Sequence, residues 1–332
     1  MSSNRCEIPP RVKTDSGETR RVGVEIEVSG MGYNEFVDLC GRLLEGKPAE
    51  ESRYVSSVDT KHGKFVIELD SKMVKELDPD DERIPESLRN IGRDMLDVFD
   101  AAAERLVPME IVSPPLPVDE LELMEHLCDE LREAGALGSR EAILYAFGLQ
   151  LNPELPDLEP STLVRWLQSF AALYEWLKSR HQLDISRKFT TYIEPWSSKY
   201  VDLLIAEDYA PDQKTLMEDY LKTNPTRNRA MDLLPLFAHL DEALLNEYVD
   251  DPRIKSRPTL HYRLPDCDID NPKWHFSSVW NDWVIVEKLA NQPEKLAELL
   301  SEFRHSREIN LHSLTHRWKE TSHQWLSDNG FI

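Results

Sequence analysis

The chain has 332 residues, 40% of them hydrophobic and 30% charged, and carries a formal charge of −22. Phosphate would be repelled over most of such a surface, which excludes nucleic acid and anionic membranes as general partners. No apolar run reaches the ~20 residues of a membrane span, and the scatter of Cys6, Cys40, Cys128 and Cys267 indicates neither a disulfide framework nor a zinc cage, so a cytoplasmic location is expected.

Residues 1–20 show no periodic apolar pattern and no signal-peptide core, and they read as a mobile leader. In Arg21–Val28, Val22, Val24, Ile26 and Val28 alternate with Glu25 and Glu27, so a strand there is apolar on one face and acidic on the other. Residues 33–44 follow as a helix with Phe36, Val37, Cys40, Leu43 and Leu44 inward. The run from Gly41 to Pro48 approaches a phosphate loop, but Pro48 stands where a magnesium-binding hydroxyl belongs, and the run reads as the helix's end.

Residues 55–59 and 64–70 predict a hairpin turning near His62-Gly63. Its second arm sends Phe65, Ile67 and Leu69 one way, and Val66, Glu68 and Asp70 the other. An acidic loop at 78–82 and a helix over 87–106 lead to Glu110, on a short strand stopped by Pro114-Pro115. Residues 118–134 form an amphipathic helix with Leu121, Met124, Leu127, Cys128 and Leu131 inward.

A strand over 146–152 alternates Leu149 and Leu151 with Gln150 and Asn152. Pro160 opens a long helix through Trp166, Phe170, Tyr174 and Leu177, and residues 229–245 read as another helix. In 257–264, Leu260, Tyr262 and Leu264 oppose His261 and Arg263, which makes a last strand. Helices fill 274–289, 293–303 and the tail around 311–326. With no internal repeat, one α+β domain with antiparallel strands and helices on one face is expected.

Four strands thus pair an apolar face with a polar one: Glu25/Glu27, Glu68/Asp70, Gln150/Asn152 and His261/Arg263. Two readings stand. Any half-buried antiparallel strand has a polar outer face. Equally, two glutamates side by side repel each other, and a hard divalent cation is what best neutralises them.

The string Gly23-Val-Glu-Ile-Glu27, followed by Glu110-Ile-Val-Ser-Pro-Pro-Leu116, resembles the amidoligase family of carboxylate–amine ligases, related to glutamine synthetase and glutamate–cysteine ligase. The resemblance implies a glutamine-synthetase-like catalytic domain over residues 21–290, a curved antiparallel sheet with helices packed on one face, and a C-terminal helical extension over 291–332. It implies an ATP-dependent, ADP-forming ligase that joins a small-molecule or peptide carboxylate to an amine through an acyl phosphate. By the same resemblance Glu25, Glu27 and Glu110 are magnesium or manganese ligands, and Asp70 is a further ligand or the amine's binding group. Glu68, Gln150, Asn152 and His261 are expected at the ATP site, and Arg229 and Arg263 on phosphate or carboxylate.

Two strands depart from the family's pattern, which often has histidines where this chain has Gln150 and Asn152 and a glutamate where it has His261. A divergent pocket, a missing second metal or an inactive homologue are each compatible with that. A metal-dependent hydrolase or phosphotransferase would use the same carboxylates to activate water. A degenerate ligase fold acting as a binding protein is the third reading.

Overall fold

The computed structural model describes residues 5–69, 108–139, 148–181, 193–309 and 314–332. Asp70, the acidic loop at 78–82 and the helix expected over 87–106 lie outside the described residues. Nine strands and ten helices are found among the described residues. They fall into two units: Met1–Cys6, Val22–Leu151 and Pro265–Ser278 form the first; Glu7–Arg21, Asn152–Leu264 and Val279–Ile332 form the second.

The first unit is built on β1 (Arg21–Val28), β2 (Lys47–Ser52), β3 (Val55–Thr60), β4 (Gly63–Leu69), β5 (Met109–Val112), β6 (Leu116–Pro117) and the start of β7 (Leu149–Pro153). Its strand order is β2-β3-β4-β5-β1-β7, with β6 also on β1. The pairs from β2 to β1 along this order are antiparallel. Val22, Val24, Ile26, Val28, Phe65, Ile67, Met109 and Ile111 are essentially removed from solvent. Each such side chain stabilises the fold by about 1.5–3 kcal/mol on burial, and this fixes the register. Helices α1 (Tyr33–Leu43) and α2 (Glu122–Glu133) contact each other, and α1 also packs on β2 and β3.

Strand β2 has no counterpart in the sequence reading. Its Lys-Pro-Ala-Glu-Glu-Ser is almost wholly exposed, and it lies at the sheet edge. A charged strand with proline is what protects an edge from adventitious pairing, so it carries no apolar alternation to detect.

The second unit centres on α3 (Pro160–Arg180), against which α9 (Pro293–Ile309) and α10 (Leu314–Asp328) pack. Two short helices, α4 (Ser198–Leu204) and α5 (Gln213–Leu221), begin where Ser197 and Asp212 cap them, and neither is expected from periodicity. The single helix expected over 229–245 is instead β8 (Met231–Asp232), α6 (Leu234–Leu240) and α7 (Glu242–Asn246). Asp241 makes the break: its backbone is extended and its carboxylate accepts the Leu244 N–H. The last strand contracts to β9 (His261–Tyr262), paired with β8.

Residues 7–21 belong to the second unit, and 7–20 among them are expected from the sequence as part of a mobile leader. Arg20 is wholly buried, donating to Glu287 at 2.8 and 2.9 Å and to the Glu154 carbonyl. Glu287 lies on α8 (Phe276–Ala290), whose Trp283 indole also donates to it. The tail helices expected as a separate extension are likewise joined to this core, as the Trp318 indole donates to Ala172.

Candidate functional site

In β1 the residues facing away from Val24 and Ile26 are Glu25 and Glu27, both partly exposed. Pairing with β5 puts Glu27 opposite Glu110, and pairing of β5 with β4 puts Glu110 opposite Glu68. Three glutamates therefore stand in one row across three adjacent strands, at the ~4.8 Å spacing of a sheet. Glu25 lies one pleat along β1 on the same face. On its other side Gln150 donates its amide to Glu25 at 3.1 Å, and the Gly148 N–H donates to Glu27 at 2.7 Å.

Burial, followed by the negative charges of Glu25, Glu27 and Glu68, holds the Glu110 carboxyl well above the ordinary range. A hydrogen bond with Glu68 acts in the same direction, so burial and the neighbouring negative charges together favour the protonated form of Glu110. Four carboxylates on one face form a hard-oxygen donor set of the kind magnesium takes, and a bound divalent ion would reverse this electrostatics. The sequence reading brings Glu25, Glu27 and Glu110 together. Register adds Glu68 to the row, where the reading set it at the ATP site.

A second polar group belongs to the second unit. Asp232 is fully buried on β8, opposite His261 on β9, and its Oδ1 accepts the Leu234 N–H at 2.9 Å. Arg263 approaches its Oδ2 to 3.8 Å. Burial raises the Asp232 carboxyl to about 6, although Arg263, the Leu234 N–H and Arg227 oppose the shift. Burial, then repulsion by Arg263, Arg257 and Arg227, lowers His261 to about 3, so the imidazole is neutral near pH 7. Burial, then Arg263, also pulls the Arg227 guanidinium below its ordinary value. The buried Nε atoms of Arg227, Arg229 and Arg263 lack hydrogen-bond partners among the described residues. Such a set of cationic donors suits an anion.

Arg229 is engaged differently. Its guanidinium donates to Glu194 at 2.8 Å, to the Pro195 carbonyl at 2.9 Å and to the Thr223 carbonyl at 3.4 Å. Arg227, two residues earlier, is the arginine that joins Arg263, and sequence reasoning missed it. Both arginines stand in Thr226-Arg-Asn-Arg229, a turn in which the Asn228 N–H donates to Thr226. No periodicity in a turn distinguishes them. Asn152, on β7, is buried in the second unit.

The family described as "Putative amidoligase enzyme" matches residues 18–285. No curated protein matches the chain, and neither does any solved structure.

Proposed function

The chain belongs to the amidoligase family, and from that premise we propose that it is an ATP-dependent ligase joining a carboxylate to an amine. The observation that carries this reading is the row Glu27, Glu110 and Glu68 on adjacent strands, with Glu25 beside it. In the proposal Glu25, Glu27 and Glu110 hold magnesium or manganese, with Glu68 completing the acidic face. The ion, when bound, neutralises the triphosphate and orients its terminal phosphoryl group. A glutamine-synthetase-like sheet is the fold this reading implies.

A carboxylate is a poor electrophile. Its oxygen attacks the terminal phosphorus of ATP, ADP leaves, and an acyl phosphate results. The amine nitrogen then attacks the acyl carbon, phosphate leaves, and the nitrogen's proton passes to a carboxylate of the site. Arg227 and Arg263 are assigned to the anionic phosphate or carboxylate, beside neutral His261 and Asp232. Arg229 is assigned to holding the turn that presents Arg227. Gln150 orients Glu25 through its amide, and Asn152 keeps its assignment to the ATP site. Asp70 is assigned to the amine. The acceptor is a small amine or amino acid and the donor a small-molecule or peptide carboxylate. A cytoplasmic location belongs to the same proposal; no helix among the described residues is long and apolar enough to cross a membrane.

Oxygen-18 in the donor carboxylate tests the reaction. Pools of acids and amines are supplied with magnesium and ATP, and released phosphate is examined by mass spectrometry. One labelled oxygen in phosphate, together with ADP and amide, is expected. Unlabelled phosphate released at full rate without an amine identifies an ATPase and overturns the ligase reading.

A further inference from the structure

Away from the sheet's carboxylate row, the first unit gathers Glu125, Asp129 and His275, with one donor atom from each lying within 4.8 Å of the others. Glu125 and Asp129 are one turn apart on α2, so both face the same way. His275 immediately precedes α8, and its Nδ1 is 2.9 Å from Glu125 Oε1. That separation is close to the edge of a coordination tetrahedron, about 3.3 Å for bonds of about 2.0–2.1 Å.

Groups outside the triad fix its members. The Ser277 N–H donates to Glu125 Oε2 at 2.6 Å, which leaves Oε1 directed at His275. Arg132 donates to Asp129 Oδ1 at 2.5 Å, and also to the Ile269 and Trp274 carbonyls, both at 2.7 Å. One guanidinium therefore orients the second carboxylate and anchors the segment that delivers the imidazole. Outer contacts of this kind are what orient metal ligands.

We propose that Glu125, Asp129 and His275 bind a divalent transition metal ion of the zinc class. An imidazole nitrogen with two carboxylates favours such an ion over magnesium, and three protein ligands leave one position for solvent. A bound ion would take the place of the proton shared by His275 Nδ1 and Glu125 Oε1, which would pass to solvent. This site does not depend on the ligase reading.

The test uses the full chain, stripped with a chelator and kept in millimolar magnesium, then titrated with zinc by calorimetry. The expected result is one equivalent bound, with affinity reduced about tenfold or more by Asp129→Asn and by His275→Ala. Glu25→Gln should leave zinc affinity unchanged. Asp129 is 42% exposed, and asparagine keeps an oxygen for Arg132, so that variant retains the fold; near-ultraviolet circular dichroism verifies this. No uptake at micromolar zinc, or equal affinity in both variants, would overturn the proposal.

Discussion

Glu110 is the residue whose environment most constrains chemistry. Its folded value is raised, so the folded state binds more protons than the unfolded chain at intermediate pH. The associated stability is fully present below the ordinary carboxyl range and is lost as pH rises through Glu110's own raised value. Without metal, Glu110→Gln should therefore raise the melting temperature at neutral pH and flatten that pH dependence. Magnesium should stabilise the parent protein by mass action and stabilise this variant less. Differential scanning calorimetry with chelator and with millimolar magnesium makes the check, and identical melts in all four samples would remove the cation from the row. The arginines make a contrasting pair. Arg263→Lys loses a forked contact worth about 1.5–3 kcal/mol, or roughly 10–150-fold in turnover. Arg229→Lys should lower stability and reduce turnover less than Arg263→Lys does, because its partners are Glu194 and main-chain carbonyls and it acts only through the turn that carries Arg227. Steady-state kinetics on both variants separates the two roles.

At the scale of elements, the β3–β4 hairpin positions Glu68, and its turn depends on one glycine. Gly63 has φ of 123°, and a Cβ there would lie 3.0 Å from Pro114 Cβ. Gly63→Ala should cost about 1–3 kcal/mol through backbone strain, seen as a lower urea midpoint with an unchanged slope. Because β4 and β5 share the row of glutamates, the same variant should also weaken the magnesium response. Full retention of both properties would show that the turn adapts without moving the strand. Strands β8 and β9 make the opposite case. Each is two residues long, and what places Asp232 opposite His261 is the pairing itself.

For the molecule as a whole, Arg20 shows how residues 7–21 belong to the core of the second unit. It is fully buried with Glu287, and it stacks on Trp166 at 5.1 Å. Arg20→Met would strand a buried carboxylate, at a cost of about 3–5 kcal/mol. Urea unfolding followed by tryptophan fluorescence should register this, since Trp166 and Trp283 lie beside the pair. A mobile leader would leave the midpoint unchanged. The double variant Arg20→Met with Glu287→Leu should recover much of the loss, because no charge is then buried alone.

Strict two-residue alternation suffices to place strands β1 and β4, and a clean apolar stripe suffices for helices α1, α2 and α3. In each, solvent and core impose the pattern locally, so residues close in sequence reveal it. The Glu25/Glu27 pair was legible for the same reason, and the strings that carry it and Glu110 resemble the amidoligase family, whose model matches residues 18–285. Tertiary structure decided the rest. Glu68 joins the glutamates only through the register of β4 with β5, and Arg227 rather than Arg229 joins Arg263 only through the turn at 226–229. Arg20 in the polar stretch 13–21 gave no sign of burial, since its partner Glu287 lies 267 residues away. Pairing, turn geometry and long-range ion pairs depend on which segments meet, and no local period encodes that.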